Sequence, residues 1–280
     1  PGHGTPTVIL FGRDRAPVGD TVRTVMGIKG EPETPANASK GQVWSAIVSQ
    51  VDWAGSDSEW VTSADSQRAV FVQHPWSVGG GGASDAKQEV EAAASQSLRA
   101  LVTSIGFASF TGTDDAFVAD RAAFGRTGVP SRYVKGFVYG EVSRDWQVEE
   151  DLVAFVPYDE RLTPIPFASG RRWGHRIWPY RSTLGGVRSF GGKTRLECGD
   201  DWWTWYRWVP EEYETPLSIA FAFVATHNHF VLDRGGKVFN RSAPVIKLPA
   251  GATEDDHLAL IGLLNSSTAC FWMKQVFHNK

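Results

Sequence analysis

Residues 161–210 read RLTPIPFASGRRWGHRIWPYRSTLGGVRSFGGKTRLECGDDWWTWYRWVP, and no other part of the chain has this composition. Between positions 161 and 196 the stretch has no Asp or Glu and eight basic residues: Arg161, Arg171, Arg172, Arg176, Arg181, Arg188, Lys193 and Arg195. The whole chain carries a net charge of −3, so this positive charge is local. Six glycines between positions 161 and 196 predict mobile or tightly turned loops.

Tryptophan is concentrated in the same stretch, which holds six of the twelve in the chain. Basic side chains neutralise phosphates and flat aromatic rings stack on bases, so the stretch favours a nucleic-acid surface. A solvated loop followed by an aromatic core segment would give the same composition. Alternation along Trp202–Trp208 predicts that most of these rings are core, with one or two exposed.

The composition is that of a globular chain, with 280 residues, 42% hydrophobic and 21% charged, enough for one large domain or two ordinary ones. No apolar run approaches the roughly 18 to 20 residues that a bilayer span requires. No secretory leader is visible, and Cys198 and Cys270 are far apart. We therefore expect a cytoplasmic protein with no membrane partner.

The periodicity predicts an α+β fold. Predicted strands are Thr5–Phe11, two short strands around a turn within Ile105–Val118, Tyr133–Tyr139, Asp151–Pro157, Pro216–Val224, a hairpin of His229–Asp233 with Lys237–Phe239, and Ala243–Leu248. Predicted helices cover 41–51, 84–102 after a cap at Ser84, and a region from a cap at Thr253 to about Phe277. The run Gly79–Gly82 predicts a flexible joint.

Three motifs were weighed for other chemistry. Gly191-Gly-Lys-Thr194 resembles the end of a phosphate-binding loop, but Val187 stands where that loop requires glycine. His227-Asn-His229 has two candidate metal ligands without a clustered third, so no metal site is predicted. Adjacent Asp114 and Asp115 favour backbone hydrogen bonds in a turn over paired acid–base catalysis.

Four ordered groups of segments resemble the BREX-type (phage growth limitation) adenine-specific DNA methyltransferases. The segments are Gly2–Arg13, Gly106–Phe117 with Lys135–Trp146, Trp202–Pro210, and Thr226–Gly236 with Leu263–Ser267. Neither the Asn-Pro-Pro-Tyr motif that holds the target amino group nor a glycine-rich turn for the methyl donor is present. In this family both precede the first of these segments.

The resemblance implies a fragment of a larger enzyme. Residues 1–13 would be the closing strand of the methyltransferase α/β sheet, 14–102 a helical and loop connection, and 103–280 a mixed α/β target-recognition domain. S-adenosylmethionine would bind the N-terminal methyltransferase domain outside this chain, so the fragment is expected to be inactive alone, without a metal. His3 would lie near the flipped-out base.

The preferred hypothesis is a DNA-specificity module acting in phage defence, with double-stranded DNA, the N-terminal domain and other proteins of the defence system as partners. The predicted DNA-binding residues are Arg171, Arg172, Arg181, Arg188, Lys193, Arg195, Arg207 and Asn228. The alternative is a tryptophan-rich module for carbohydrate or another ligand. It requires exposed tryptophans and assigns no role to the arginines.

Overall fold

The computed structural model of the chain describes residues 8–72, 76, 79–144, 146–148, 152–167, 172–188 and 191–277. The strands are β1 (Thr21–Gly27), β2 (Ser56–Asp57), β3 (Val61–Gln67), β4 (Ser104–Gly106), β5 (Ser109–Phe110), β6 (Val118–Ala119), β7 (Val134–Val138), β8 (Ser143–Arg144), β9 (Gln147–Val148), β10 (Val153–Phe155), β11 (Arg207–Trp208), β12 (Ser218–Phe221), β13 (Phe230–Asp233), β14 (Lys237–Phe239) and β15 (Val245–Lys247). The α-helices are α1 (Gln42–Gln50), α2 (Ala83–Ala93), α3 (Leu98–Leu101), α4 (Asp114–Phe117), α5 (Arg121–Arg126), α6 (Arg172–Ile177), α7 (Arg181–Gly186), α8 (Arg195–Cys198), α9 (Glu254–Leu264) and α10 (Ser267–Val276).

The elements form two units. The first contains the described residues up to Ser95 and from Ser267 onward, and the second contains Gln96–Ser266. The two units meet in sequence between Ser95 and Gln96, and α10 belongs to the first unit, while the domains expected from the sequence stay a prediction. The chain is a mixed α and β protein with several small sheets. Among the described residues, no helix has the length and apolarity needed to cross a bilayer.

The first unit has a sheet where the sequence predicted only helix and loop. Its strand order is β1-β3-β2, and all pairs are antiparallel. Four β-branched residues, at positions 21, 22, 24 and 25, favour β1, and in the β1–β3 register Arg23 lies opposite Asp65. Their side chains form an ion pair, with 2.8 Å between Arg23 Nε and Asp65 Oδ1.

The glycine run Gly79–Gly82 packs against this sheet, contrary to the predicted flexible joint. The Gly80 amide donates to the Gly27 carbonyl at 3.0 Å, and the Gly81 amide donates to Thr62 Oγ1 at 2.9 Å. A Cβ at position 80 would lie 2.6 Å from the Met26 carbonyl oxygen, so this close approach requires glycine.

Two predicted helices that contribute to this unit have other bounds in the structure than in the prediction. The helix predicted over 84–102 begins after Gly82 and ends at Ala93, and α3 is a separate short turn in the second unit. The long C-terminal helix is divided at Asn265 into α9 and α10. Within the first unit α10 is tied to α2, since Trp272 Nε1 donates to Glu91 Oε1 at 2.9 Å.

The predicted closing strand Thr5–Phe11 is not observed where it can be assessed. Residues 5–7 lie outside the described part, and Val8–Phe11 form no strand. Their side chains are exposed, with Phe11 93% exposed. A strand requires a hydrogen-bonded neighbour, and the described residues provide none for this segment.

The second unit has two four-stranded sheets, ordered β13-β12-β15-β4 and β14-β7-β10-β6. The first is antiparallel, and the second contains one parallel pair, β14 with β7. The predicted strands that became β7, β10, β12, β13, β14 and β15 are confirmed. The predicted hairpin is wrong, because β13 and β14 belong to different sheets and the Asp233–Gly236 turn connects them.

The segment Ile105–Val118 also differs from its prediction. It contributes β4 and β5 to different sheets, and Asp114 begins α4. The Asp114 carboxylate accepts hydrogen bonds from two side chains, the Thr111 hydroxyl and the Asn240 amide, and not from backbone amides as predicted. Phe117 in this helix is fully buried in the main core beside Phe155 and Trp205.

Candidate nucleic-acid interface

The aromatic segment 202–208 is fastened to segment 155–165 by its indole groups. Three indole Nε1 atoms each donate to a main-chain carbonyl: Trp203 to Ile165 at 2.9 Å, Trp205 to Phe155 at 3.1 Å and Trp208 to Leu162 at 3.1 Å. These bonds satisfy the polar atoms of large buried rings. The basic stretch, residues 161–196, lies between these two segments. The same hydrogen bonds therefore hold the chain near both of its ends.

The tryptophan rings of the aromatic segment are buried or half-buried. Trp202 and Trp205 are 7% and 2% exposed, and Trp203 and Trp208 are half-buried. The ring of Trp208 lies parallel between those of Tyr158, at 4.2 Å, and Tyr213, at 4.4 Å. Burial raises the pKa of Tyr158 to about 12, although its hydroxyl accepts from the Trp205 amide at 3.1 Å. The predicted one or two exposed rings in this run are not observed.

The basic stretch between these anchors is mainly helical, and not the series of loops that its glycines predicted. It forms α6, a 3-10 turn at Trp178–Tyr180, α7 and α8. Gly185 in α7 is buried, and a Cβ there would lie 2.6 Å from the Leu196 side chain. At this position glycine allows two short helices to approach closely, since no side chain separates them.

Five of the predicted DNA-binding cations are exposed, and all lie in the second unit. They are Arg172, Arg181, Arg188, Lys193 and Arg207. The Arg181 guanidinium lies over the ring of Trp178, 5.5 Å from its centroid, which limits its orientations. Arg188 Nη1 donates to the Gly192 carbonyl at 2.6 Å across the loop that precedes α8. These side chains can reach a phosphate without losing the core contacts described above.

Arg195 does not fit the predicted DNA contact. Its side chain is 7% exposed, and its guanidinium donates to the Thr204 carbonyl at 2.7 Å, the Asp201 carbonyl at 2.8 Å and Thr204 Oγ1 at 2.5 Å. Burial lowers the pKa of this guanidinium. Three of its five N–H groups donate inside the protein, so Arg195 joins α8 to the aromatic segment, and its predicted DNA contact stays a prediction.

Asn228 also has an internal role. Its Nδ2 donates to the Leu264 carbonyl at 2.6 Å, where α9 ends. The structure therefore favours a fold-stabilising amide over the predicted adenine contact. Two further predicted residues, His3 and Arg171, lie outside the described residues.

The remaining motifs have structural explanations in the described residues. Thr194 does not serve a phosphate loop, because its hydroxyl accepts from the Glu197 amide and caps α8. The exposed His227 lies with Nδ1 3.0 Å from the Thr226 hydroxyl. Across the part of the chain that the structure describes, no group of three or more His, Cys, Asp or Glu is arranged to hold a metal ion.

One feature of the second unit was missed by the sequence reasoning. A pocket of about 530 Å³ is lined by Arg161 of the basic stretch together with Arg132, Lys135 and Lys237. These cations come from three parts of the chain: the pairing of β14 with β7 brings Lys237 beside Lys135, and Arg161 lies in the loop that follows β10. One sequence signal could have indicated this pocket, the segment Arg132-Tyr-Val-Lys135. Arg132 lies just before the predicted strand Tyr133–Tyr139, and Lys135 lies on it.

No family model matches the chain. Among curated proteins, the adenine-specific methyltransferase PglX of Streptomyces coelicolor is 44% identical to it over 286 aligned residues. The alignment covers 100% of this chain and 23% of the relative. Over its whole length, the chain is similar to a segment of PglX. The predicted resemblance is therefore confirmed. Since the chain spans less than a quarter of PglX, the geometry above describes one part of such a protein.

Proposed function

We propose that this chain is the DNA-binding, target-recognition part of an adenine-N6 DNA methyltransferase that acts in phage defence. The observation that carries the proposal is the set of exposed cations Arg172, Arg181, Arg188, Lys193 and Arg207 on one short, firmly anchored segment. Phosphate contacts of Lys and Arg supply most of the affinity of such domains and position them on the duplex. The name of the PglX relative supports the reaction class.

The aromatic segment 202–208, which anchors the chain that carries these cations, suits this function. Three indole hydrogen bonds and the stacked rings hold the segment before DNA arrives, so little ordering cost is added on binding. Arginine can contact phosphate or the O6 and N7 atoms of guanine, so the same residues offer both positioning and base reading. Arg181, already oriented over Trp178, is suited to a directed contact.

The proposal places the methyl donor outside this chain. The glycine run Gly79–Gly82 is packed against β1 and turns into α2, so its backbone offers no open cradle for S-adenosylmethionine. In the proposal the donor and the transfer step belong to the rest of the methyltransferase. This chain selects and holds the DNA.

The alternative carbohydrate module has less support. It needs flat tryptophan platforms facing solvent, but in the aromatic segment Trp202 and Trp205 are packed in the core, and Tyr158 and Tyr213 cover both faces of the half-buried Trp208. Trp178 is half-exposed, at 52%, but its ring carries Arg181. Arginine over tryptophan is an arrangement that serves an anionic ligand better than a neutral sugar.

The proposal is tested by fluorescence anisotropy with a labelled duplex at about 50 and 200 mM salt. We expect wild-type affinity to fall at least about a hundredfold over this range, because roughly five phosphate contacts release counterions. A variant with Arg172, Arg181, Arg188 and Lys193 changed to Ala should lose most of the affinity and flatten the salt dependence by about three to four units of slope.

A matched control removes the same charge elsewhere in the second unit. Arg99, Arg121, Arg234 and Arg241 are exposed and lie outside the basic stretch, so changing all four to Ala should leave most of the affinity intact. Equal losses in both variants would mean that only net charge matters. Absence of binding by the folded wild-type chain, repeated with the rest of the methyltransferase restored, would refute the DNA role.

A further inference from the structure

The pocket of about 530 Å³ in the second unit lies within the size range of small-molecule sites, about 300 to 1,000 Å³. Its lining combines apolar and aromatic groups with both signs of charge. The lining residues used below are Arg132, Tyr133, Lys135, Tyr158, Asp159, Glu160, Arg161, Leu162, Trp208, Tyr213, Lys237 and Val238.

The aromatic wall of the pocket is preformed. Tyr158, Trp208 and Tyr213 stack in parallel, and Tyr213 is held by hydrogen bonds of its hydroxyl with Ser109 Oγ at 2.8 Å and the Phe239 amide at 3.3 Å. Tyr133 stands beside this stack, just before β7. Because the two tyrosines cover both faces of Trp208, a ligand with an apolar, planar part would meet the edge of Trp208, in a wall that does not need to reorganise.

The loop that carries Arg161 is equally constrained. The Asp159 carboxylate accepts from the Thr163 amide at 3.0 Å, the Thr163 hydroxyl at 2.9 Å and the Arg161 amide at 2.9 Å. These bonds hold the pKa of Asp159 below its usual value. Leu162 has a φ of 62°, a backbone conformation that costs free energy in a non-glycine residue, and its carbonyl is held by Trp208 Nε1.

Positive charge is concentrated at the rim. Tyr133 and Lys135 both line the pocket, and the Arg132 guanidinium lies 4.8 Å from the centre of the Tyr133 ring. Arg161 faces the same pocket from the constrained loop. The fourth cation, Lys237, is paired with Asp233 at 2.9 Å. Arg132, Lys135 and Arg161 thus offer an exposed site for an anionic group.

We propose that this pocket binds a nucleotide, with the phosphate at Lys135, Arg161 and Arg132 and the base against the aromatic wall. A bare anion would leave the wall unused, and a neutral sugar would leave three cations without a partner. The exposed Glu160 carboxylate adds an acceptor for an exocyclic amino group of the base. The nucleotide could be free in solution or belong to the bound DNA, and the test separates these sources.

Isothermal titration calorimetry of the 280-residue chain with the four nucleoside 5′-monophosphates tests the first source, with nucleosides and inorganic phosphate as partial ligands. We expect saturable one-to-one binding by at least one monophosphate, stronger than either partial ligand. The variant Lys135→Ala/Arg161→Ala should bind at least about tenfold more weakly, because charge-assisted hydrogen bonds are lost. The matched control Arg234→Ala/Arg241→Ala, outside the pocket, should bind as wild type.

Anisotropy with a duplex that carries one unpaired nucleotide, compared with the same duplex fully paired, tests the second source. A preference for the unpaired nucleotide that disappears in Lys135→Ala/Arg161→Ala supports the pocket with DNA as its source. The proposal is overturned if neither monophosphates nor the unpaired nucleotide are preferred, or if the pocket variant binds them undiminished. Duplex binding without nucleotide binding would refute the nucleotide site and leave the proposed DNA-binding function intact. Nucleotide binding without duplex binding would support the nucleotide site and refute the proposed DNA-binding function.

Discussion

At the scale of single residues, burial decides what a basic side chain can do. Arg188 and Arg195 are both basic residues of the same stretch, yet Arg188 is exposed and Arg195 is 7% exposed. The sequence offers no distinction between them. The difference arises because the Arg195 guanidinium meets two carbonyls and a hydroxyl of the segment that leads into the tryptophans.

We expect Arg195→Ala to lower the free energy of unfolding by about 2 to 4 kcal/mol, because the buried Thr204 carbonyl loses its donor and the packed side chain is removed. Urea denaturation followed by tryptophan fluorescence measures this loss. Arg188→Ala is the matched control and should change stability by less than about 0.5 kcal/mol while weakening DNA binding. An Arg195→Ala protein as stable as wild type would contradict the structural role.

At the scale of elements, a helix start can be predicted from nearby capping residues, whereas the partner of a strand depends on distant parts of the chain. The start of α9 was predicted from Thr253 and the acidic residues behind it, and the structure shows a capping box. The Thr253 hydroxyl accepts from the Asp256 amide at 3.2 Å, and the Asp256 carboxylate accepts from the Thr253 amide at 2.7 Å. The Thr253 amide and hydroxyl, which both donate to the Asp256 carboxylate, hold the pKa of Asp256 below its usual value.

We expect Thr253→Ala to lower the free energy of unfolding by about 1 kcal/mol at pH 7, because one amide of the first turn loses its acceptor. Thermal and urea unfolding measure the change, and Thr253→Ser, which keeps the hydroxyl, should be close to wild type.

The same cap has a pH dependence of defined sign. A carboxyl whose pKa is lowered by folding stabilises the protein above its unfolded pKa, about 3.9, and this contribution is lost as the pH falls through the lower folded value. The difference between wild type and Thr253→Ala should therefore be constant above about pH 5 and shrink below about pH 4. A difference that grows in acid would contradict this assignment.

At the scale of the whole molecule, the chain divides at positions that its sequence did not indicate. Every strand of the two four-stranded sheets and both buried clusters lies within Gln96–Ser266. The helix α10 follows α9 after a single turn, yet it packs on α2 in the first unit.

We expect residues 96–266, expressed alone, to fold and unfold in one cooperative transition and to keep salt-sensitive DNA binding. Residues 103–280, the domain predicted from sequence, should be less stable and more prone to aggregate, since they lack α3 and carry α10 without α2. Urea unfolding and sedimentation of both fragments compare them. A less stable 96–266 fragment would argue against this division.

The sequence by itself determined the α+β class, six strands of the second unit, the cap of α9, the family resemblance and the concentration of positive charge in 161–196. These depend on alternation, capping residues and composition, which are local properties. The tertiary structure alone decided that β13 and β14 join different sheets, that Arg195 is internal, and that Arg132, Lys135 and Arg161 line one pocket. Each of these depends on contacts between residues far apart in the chain, and no local pattern encodes which distant carbonyl or strand a group will meet.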